Sequence, residues 1–188
     1  MDILLLGPPG AGKGTQGTLL AEALGLPKLA TGDLLRDAVR RGTPLGKAAQ
    51  KVMEAGHLVS DEIILGVVRD ELDQPGAVDG VILDGVVRTI PQAEAMAALL
   101  AERGRQLDQV LFFDVSDAEL LDRLAKRREL EQRADDDPGA VAVRLQAYRD
   151  RTAPLLAWYE ARGGVTRVPA VGTVREVAHR VLAALGKA

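Results

Sequence analysis

The chain has 188 residues, of which 47% are hydrophobic and 27% charged, and this composition is ordinary for one globular domain with a full core. Its formal charge of -3 argues against nucleic acid as a partner, and a chain without cysteine excludes disulfides, thiol nucleophiles and cysteine-ligated zinc. The sequence has no signal-peptide pattern and no apolar run of membrane-spanning length, so we expect a cytoplasmic protein with no membrane partner.

Short apolar runs alternate with longer helical patterns along the chain. The runs are Ile3–Leu6, Val81–Leu83, Val110–Phe113 and, less clearly, Gly164–Val168. Continuous apolar runs are typical of strands that are covered on both faces. The alternation predicts an α/β fold of three layers, α/β/α, around a parallel sheet. Such sheets bind ligands beyond the carboxyl ends of their strands, and three residues fall at that edge: Gly7, Asp84 and Asp114.

Capping patterns predict where several helices begin. Ser116–Glu119 and Thr173–Glu176 match the reciprocal pattern [S/T]-x-x-E. Asp137 can cap a helix whose first residue is Pro138.

Two stretches fit the sheet poorly. Residues 30–59 read as short helical pieces broken by glycine and proline, with no strand, and residues 126–136 are almost wholly charged. Both are expected to be surface excursions, either lids and substrate platforms or ordinary solvated helix and loop.

The segment GPPGAGKGT, residues 7–15, nearly matches the phosphate-binding loop G-x-x-x-x-G-K-[ST]. It follows a predicted strand and precedes a helix, so its backbone amides can surround an anion while Lys13 reaches the outer phosphates. A glycine-rich turn with a solvent lysine is the alternative. The hydroxyl arrives one residue late, at Thr15, which rotates it by roughly 100° around a helix. We therefore expect Mg²⁺ to be held mainly by phosphates and water.

GPPGAGKGTQ is also the form of the loop in adenylate kinases, and the sequence resembles that family along essentially its whole length. Leu29–Arg36 resembles the segment that opens the family's AMP-binding excursion, and Gly56–Val59 the stretch that receives the adenine of AMP. Asp84–Thr89 is similar to the family's D-G-F-P-R-T, and Ala170–Thr173 to the loop against the adenine of ATP. Four arginines match those around the transferring phosphoryl group: Arg123, Arg127, Arg133 and Arg144.

The resemblance implies a P-loop nucleoside monophosphate kinase that catalyses ATP + AMP = 2 ADP with Mg²⁺ bound to ATP and no zinc. It implies a core of residues 1–29, 60–125 and 137–188, an AMP-binding excursion at 30–59 and a short lid at 126–136. The β domain of the family's long lid is missing from this sequence. A monomer whose partners are ATP, AMP and ADP is expected.

The resemblance also implies which residues form the site. At the ATP site they are Gly10, Ala11, Gly12, Lys13, Gly14, Thr15, Arg127 and Gly172. At the AMP site they are Thr31, Arg36, His57, Leu58, Val59, Gly85, Val86, Val87, Arg88, Gln92, Arg133 and Arg144. The catalytic set is Lys13, Arg88, Arg123, Arg127, Arg133 and Arg144.

Physical chemistry favours the arginines independently. The phosphates of two nucleotides repel each other, and a guanidinium grips phosphate oxygens in pairs while it stays charged. Arg123 and Arg127 are four residues apart and therefore share one helix face. The other face can be buried by Leu120, Leu121 and Leu124. For any single arginine, a solvated surface position is the alternative.

Three polar side chains leave alternatives open. Asp84, at a strand end, can position Mg²⁺ through water or can simply form a turn with Gly85. Asp33 is a candidate for the same role, but it is expected to cap a helix. Gln92 can complete a capping box that begins at Thr89 or can contact AMP.

Val86–Val87 stands where the family has Phe-Pro with a cis peptide bond. A cis bond costs about 3 kcal/mol before a residue other than proline, so we predict a trans peptide and a local shift of the loop. Arg88 follows directly, and the phenylalanine ring beside the AMP pocket is missing. We therefore expect an enzyme that folds and retains its chemistry but binds AMP more weakly.

Two other functions stay open at this point. A UMP/CMP kinase shares the loop and the arginines, but it usually has alanine at the place of Thr31. A catalytically silent ATP-binding module is compatible with the Val86–Val87 change, and it would bind ATP without forming ADP when AMP is saturating.

Overall fold

A five-stranded parallel sheet forms the centre of the computed structural model, which describes residues 1–55, 57–131 and 136–187. The strands are β1 (Asp2–Leu6), β2 (Lys28–Ala30), β3 (Val81–Asp84), β4 (Gln109–Asp114) and β5 (Val165–Pro169). They lie in the order β2-β3-β1-β4-β5, and every neighbouring pair is parallel. The predicted α/β fold around a parallel sheet is thereby confirmed.

Helices connect the strands and cover both faces of the sheet. Those in the described ranges are α1 (Lys13–Leu24), α2 (Thr31–Arg40), α3 (Pro44–Glu54), α4 (Asp61–Leu72), α5 (Ile90–Ala101), α6 (Asp117–Glu131), α7 (Pro138–Ala147), α8 (Pro154–Glu160) and α9 (Val174–Ala184). A short 3₁₀ turn, Pro75–Ala77, precedes β3. None of the helices in these ranges is long and apolar enough to cross a membrane.

The sheet divides the buried side chains into two cores, because successive side chains of a strand point to opposite faces. In β1, Leu4 and Leu6 join one core and Ile3 and Leu5 the other. The first core also takes in side chains from α2, α4, α5 and α8, and the second takes in side chains from α1, α6 and α9. This arrangement gives the three predicted layers.

Strand β2 was missed by the sequence reading. Its three residues begin with a lysine, and so short a run has no detectable period. Ala30 belongs to this strand, so the expectation that residues 30–59 contain no strand is wrong at its first position.

The AMP-binding excursion predicted at residues 30–59 contains α2 and α3 packed closely together. A Cβ atom on Gly46 would lie 2.1 Å from the carbonyl oxygen of Ala38, so only glycine permits this approach. At the other excursion, α6 runs without a break from Asp117 to Glu131 and passes the expected lid boundary at residue 126. Domain boundaries at these places stay predictions.

The capping predictions have mixed outcomes. Thr173 and Glu176 form the complete reciprocal box, and Asp137 caps the helix that begins with Pro138. At the start of α6 the backbone nitrogen of Glu119 lies 3.4 Å from the Ser116 hydroxyl, but the Glu119 carboxylate pairs with Arg123.

Helix α6 buries a narrower apolar face than the sequence suggested. Leu120 and Leu124 are buried, as predicted. Leu121 is 53% exposed, so its assignment to the same face was wrong.

Candidate active site

The glycine-rich loop between β1 and α1 forms a concave turn at the carboxyl edge of the sheet. Gly10 and Gly12 have φ angles of 85° and 91°, in the left-handed region that favours glycine. Gly7 approaches β4 so closely that a Cβ atom there would lie 2.9 Å from the carbonyl oxygen of Phe113. Helix α1 begins at Lys13, so backbone amides and the positive end of the helix dipole face the same point.

Lys13 lies inside this turn. Its Nζ donates to the carbonyl oxygens of Gly7 at 2.8 Å and Pro8 at 2.9 Å. Burial lowers its pKa to about 8, since desolvation disfavours the charged form; Asp84 opposes this shift, and Arg88, Arg144 and Arg127 add to it. These four residues come from three separate parts of the chain, and all of them line the cleft around the loop.

The strand-end carboxylate of Asp84 lies close to Gly14, the residue that stands where the loop pattern has a hydroxyl. Thr15 is exposed at the first turn of α1, and a Cβ atom on Gly14 would lie 3.6 Å from Asp84 Oδ2. Within the described ranges, no three histidine, aspartate or glutamate side chains are grouped as a metal site.

Lys28 joins the phosphate loop to the neighbouring helix, and sequence reasoning missed it. Its Nζ lies 3.3 Å from the carbonyl oxygen of Gly14, 2.9 Å from Thr18 Oγ1 and 3.6 Å from Asp33 Oδ2. Asp33 lies in the first turn of α2, and the N-cap is Ala30, so the predicted capping role of Asp33 is wrong. The Asp33 carboxylate instead binds Arg36 at 2.6 Å.

A small cavity adjoins the main cleft on the side of α2. Thr31 Oγ1 donates to the carbonyl oxygen of Gly85 at 3.0 Å, and Arg88 Nε donates to the same oxygen at 3.0 Å. Residues predicted for AMP line this cavity: Thr31, Arg36, His57, Leu58, Val59, Gly85, Val86, Arg88, Gln92 and Arg144. Val87 lines the main cleft instead.

The Val86–Val87 peptide is trans, as predicted, because the described residues contain no cis peptide bond. Both valines are almost fully buried and belong to the first core, where Val86 borders the small cavity and Val87 the main cleft. The Gln92 side chain fixes the end of this loop: its Oε1 accepts from the Arg88 backbone nitrogen at 2.7 Å, and its Nε2 donates to Asp61 at 2.6 Å. Thr89 caps α5, but the Gln92 side chain binds one residue earlier than in a reciprocal box.

The arginines of α6 and α7 face the same cleft. Arg123 donates to the Ala170 carbonyl oxygen at 2.7 Å and pairs with Glu119 at 2.9 Å. Arg127 and Arg144 both bind the buried carboxylate of Asp136, at 2.6 Å for Arg127 Nε and 3.0 Å for Arg144. Asp136 stands within a run of aspartates, and no sequence pattern distinguishes it from its neighbours. Arg133 lies outside the described residues.

These parts surround one cleft of about 700 Å³. Its lining includes the loop residues Gly10, Ala11, Gly12, Lys13, Gly14 and Thr15, the arginines Arg36, Arg88, Arg123, Arg127 and Arg144, and Gly172. A volume of this size suits nucleotide ligands. At the carboxyl edge of a parallel sheet, a glycine-rich loop precedes a helix N-terminus and faces a group of arginines. This combination defines a P-loop kinase of the nucleoside monophosphate type.

Comparison with known proteins gives the family. The family model described as adenylate kinase matches residues 5–164. The chain is 50% identical over 185 residues to an adenylate kinase of Stenotrophomonas maltophilia, and the alignment covers 98% of this chain and 99% of the relative. It is also 50% identical over 184 residues to an adenylate kinase of Thermus thermophilus, with 98% and 96% covered. The chain therefore belongs to the adenylate kinase family, and the predicted phosphotransferase class is confirmed. The UMP/CMP kinase and silent-module alternatives are not favoured.

Proposed function

We propose that the cleft catalyses ATP + AMP = 2 ADP by direct in-line transfer, with ATP on the glycine-rich loop and AMP in the adjoining cavity. The observation that carries this proposal is that Lys13, Arg88, Arg127 and Arg144 line one cleft, and that Arg88 and Arg144 also line the adjoining cavity. Three phosphates of one nucleotide and one of another can be gathered there only if their repulsion is neutralised. No side-chain nucleophile is needed, because an oxygen of AMP attacks the γ-phosphorus.

The donor nucleotide lies on the loop in this proposal. The amides of Gly10, Ala11, Gly12, Gly14 and Thr15 hold its phosphates, and Gly172 lies against its adenine. Lys13 exchanges its two carbonyl partners for phosphate oxygens, since an anion is a better acceptor for an ammonium group.

The acceptor lies in the smaller cavity. Arg36, Arg88 and Arg144 hold the phosphate of AMP, and Thr31, Gln92 and the backbone of residues 57–59 receive its base. The loop Gly85–Val87 forms the floor, and Val59 contributes apolar contact from the core.

The transferring group is enclosed by arginines in and next to the proposed lid when the lid closes. Arg123, Arg127 and, within the proposed lid at 126–136, Arg133 close over it and exclude water, which otherwise would accept the phosphoryl group. Arg127 and Arg144 already share Asp136, so their guanidinium groups are held near each other before substrate binds.

Magnesium fits this site through phosphates and water rather than through a protein cage. Asp84 supplies a single carboxylate beside Gly14, which suits a cation that keeps several waters. When bound, Mg²⁺ neutralises charge on the transferring phosphates. We include no zinc. A monomer that acts in the cytoplasm without nucleic acid is part of the proposal, in line with the charge of -3.

The deciding experiment is turnover of ATP with AMP, CMP or UMP in turn, with Mg²⁺ present. We expect ADP formation with AMP and little with the pyrimidines. Lys13→Ala should lower turnover by about a hundredfold or more without loss of the fold, because it removes the positive charge that neutralises the transferring phosphates. Faster turnover with CMP or UMP, or unchanged turnover in Lys13→Ala, would contradict the proposal.

A further inference from the structure

A π-helical turn, Tyr148–Thr152, joins α7 to α8 beside the cleft. Its origin is Pro154, which has no backbone N–H and whose ring would clash with the Asp150 carbonyl in a continuous α-helix. The chain widens instead, and the nitrogen of Ala153 donates to the Tyr148 carbonyl oxygen at 2.7 Å. Such wide turns occur frequently at functional sites.

The wide turn brings Thr152 against Arg88. A threonine inside an α-helix commonly binds a carbonyl of its own preceding turn. Here the Thr152 hydroxyl leaves its own helix and donates to the carbonyl oxygen of Arg88 at 2.9 Å, 64 residues away in sequence. Thr152 is only 7% exposed, so this hydrogen bond is partly buried at the wall of the cleft.

The Arg88 backbone is consequently held on both sides. Gln92 accepts from its nitrogen at 2.7 Å, and Thr152 donates to its oxygen at 2.9 Å. The side chain is fixed in turn by the bond from Nε to the Gly85 carbonyl oxygen, at 3.0 Å. Val87 does not have the fixed φ that a proline would supply before Arg88, so these bonds carry more of the task of fixing the backbone.

We propose that Thr152 is a positioning residue for the acceptor nucleotide: its hydroxyl fixes the Arg88 carbonyl and thereby aims the Arg88 guanidinium at the phosphate of AMP. The inference rests on the proposed role of Arg88 in AMP binding. Thr152 acts through Arg88 and has no direct part in the reaction.

The test compares Thr152→Val, which keeps the shape and removes the hydroxyl, with Thr152→Ser, which keeps the hydroxyl. Steady-state kinetics give KM for AMP and for ATP separately, and the melting temperature reports folding. We expect Thr152→Val to raise KM for AMP about three- to tenfold, the range that corresponds to one hydrogen bond. KM for ATP should change less than about twofold, and Thr152→Ser should restore KM for AMP.

Three results would overturn the inference: an unchanged KM for AMP in Thr152→Val, an equal rise in both KM values, or no rescue by serine. Calorimetric titration of AMP without ATP repeats the comparison free of turnover. Arg88→Met separates this inference from the proposed function. If Arg88→Met weakens AMP binding and Thr152→Val does not, only the role of Thr152 is wrong. If Arg88→Met also leaves AMP binding unchanged, the acceptor site itself is wrongly assigned.

Discussion

Arg105 binds the carboxylate of Asp2 with two nitrogen atoms, at the edge of the sheet opposite the cleft. The Asp2 side chain is only 3% exposed, and it also accepts from the backbone nitrogen of Val81 at 3.1 Å. Arg105 continues to the Ala77 carbonyl oxygen at 2.7 Å. This pair therefore ties the first residue of β1 to the start of β3 and to the turn before it.

Loss of Arg105 should destabilise the fold without changing the chemistry. Arg105→Met leaves the buried Asp2 carboxylate without its counter-charge, so the free energy of unfolding should fall by about 2 kcal/mol. Urea denaturation measures this change. Turnover per folded molecule should stay unchanged, because the pair lies at the far edge of the sheet.

Arg103→Met is the matched control for that variant. Arg103 pairs with Asp73, which is 59% exposed, and exposed pairs contribute about 0–1 kcal/mol. Equal losses in the two variants would mean that burial of Asp2 is not what makes the Arg105 pair stabilising.

ATP binding should weaken as the pH rises above about 8. The free protein holds the pKa of Lys13 at about 8, below its usual 10.5, and a bound polyphosphate raises this pKa because it favours the charged form. The Lys13 contribution to affinity is therefore complete below pH 8 and is lost progressively as the pH rises through that value. The terminal phosphate of ATP is already ionised in this range, so it adds no opposing change.

Calorimetric titration of ATP between pH 7 and pH 10, without Mg²⁺, measures this dependence. Affinity should fall by up to about tenfold for each pH unit above 8, and binding should take up protons, so the measured enthalpy should depend on the ionisation enthalpy of the buffer. Lys13→Met should bind ATP weakly at every pH and show no such slope. A slope that survives in Lys13→Met would assign the proton to another group.

Lys28 should couple energetically to Thr18. The Thr18 hydroxyl donates to the Gly14 carbonyl oxygen at 3.1 Å and accepts from Lys28, which also reaches that carbonyl. Each single variant, Lys28→Met or Thr18→Val, should break the same network, so the double variant should lose less stability than the sum. We expect a coupling of about 1 kcal/mol in a double-mutant cycle. Strictly additive losses would mean that the two side chains act independently.

The long apolar strands and the glycine-rich loop were predictable because their signals are local. A run such as Val110–Phe113 shows its burial within a few residues, and the glycines before Lys13 specify a turn with left-handed backbone angles. Strand β2 is too short for such a signal, and it becomes a strand by pairing with β3.

The missed site residues depend on partners that are distant in sequence. Thr152 binds Arg88 across 64 residues, and Lys28 gains its role only when β2 and α1 lie side by side. Where one side chain has two possible hydrogen-bond partners, the sequence alone does not show which partner it binds. Glu119 matched a capping box but binds Arg123, and the Gln92 side chain binds the nitrogen of Arg88.

Replacement of Val86–Val87 by Phe-Pro should tighten AMP binding at the expense of stability. Val86 lines the small cavity, so a phenylalanine there gives the nucleotide an aromatic contact, and the dissociation constant of AMP should fall about tenfold. Both valines are at most 2% exposed, so the larger side chain must displace packed neighbours, which typically costs about 1–3 kcal/mol.

Titrations of AMP and ATP and a melting curve measure the two effects separately. ATP binding serves as the internal control, because the loop that holds its phosphates does not include these positions. Val86→Phe alone reveals how much of the gain comes from the ring. An AMP dissociation constant that is unchanged in the double replacement would mean that the valine pair does not weaken the acceptor site, and that the bonds from Gln92 and Thr152 already hold Arg88 where AMP needs it.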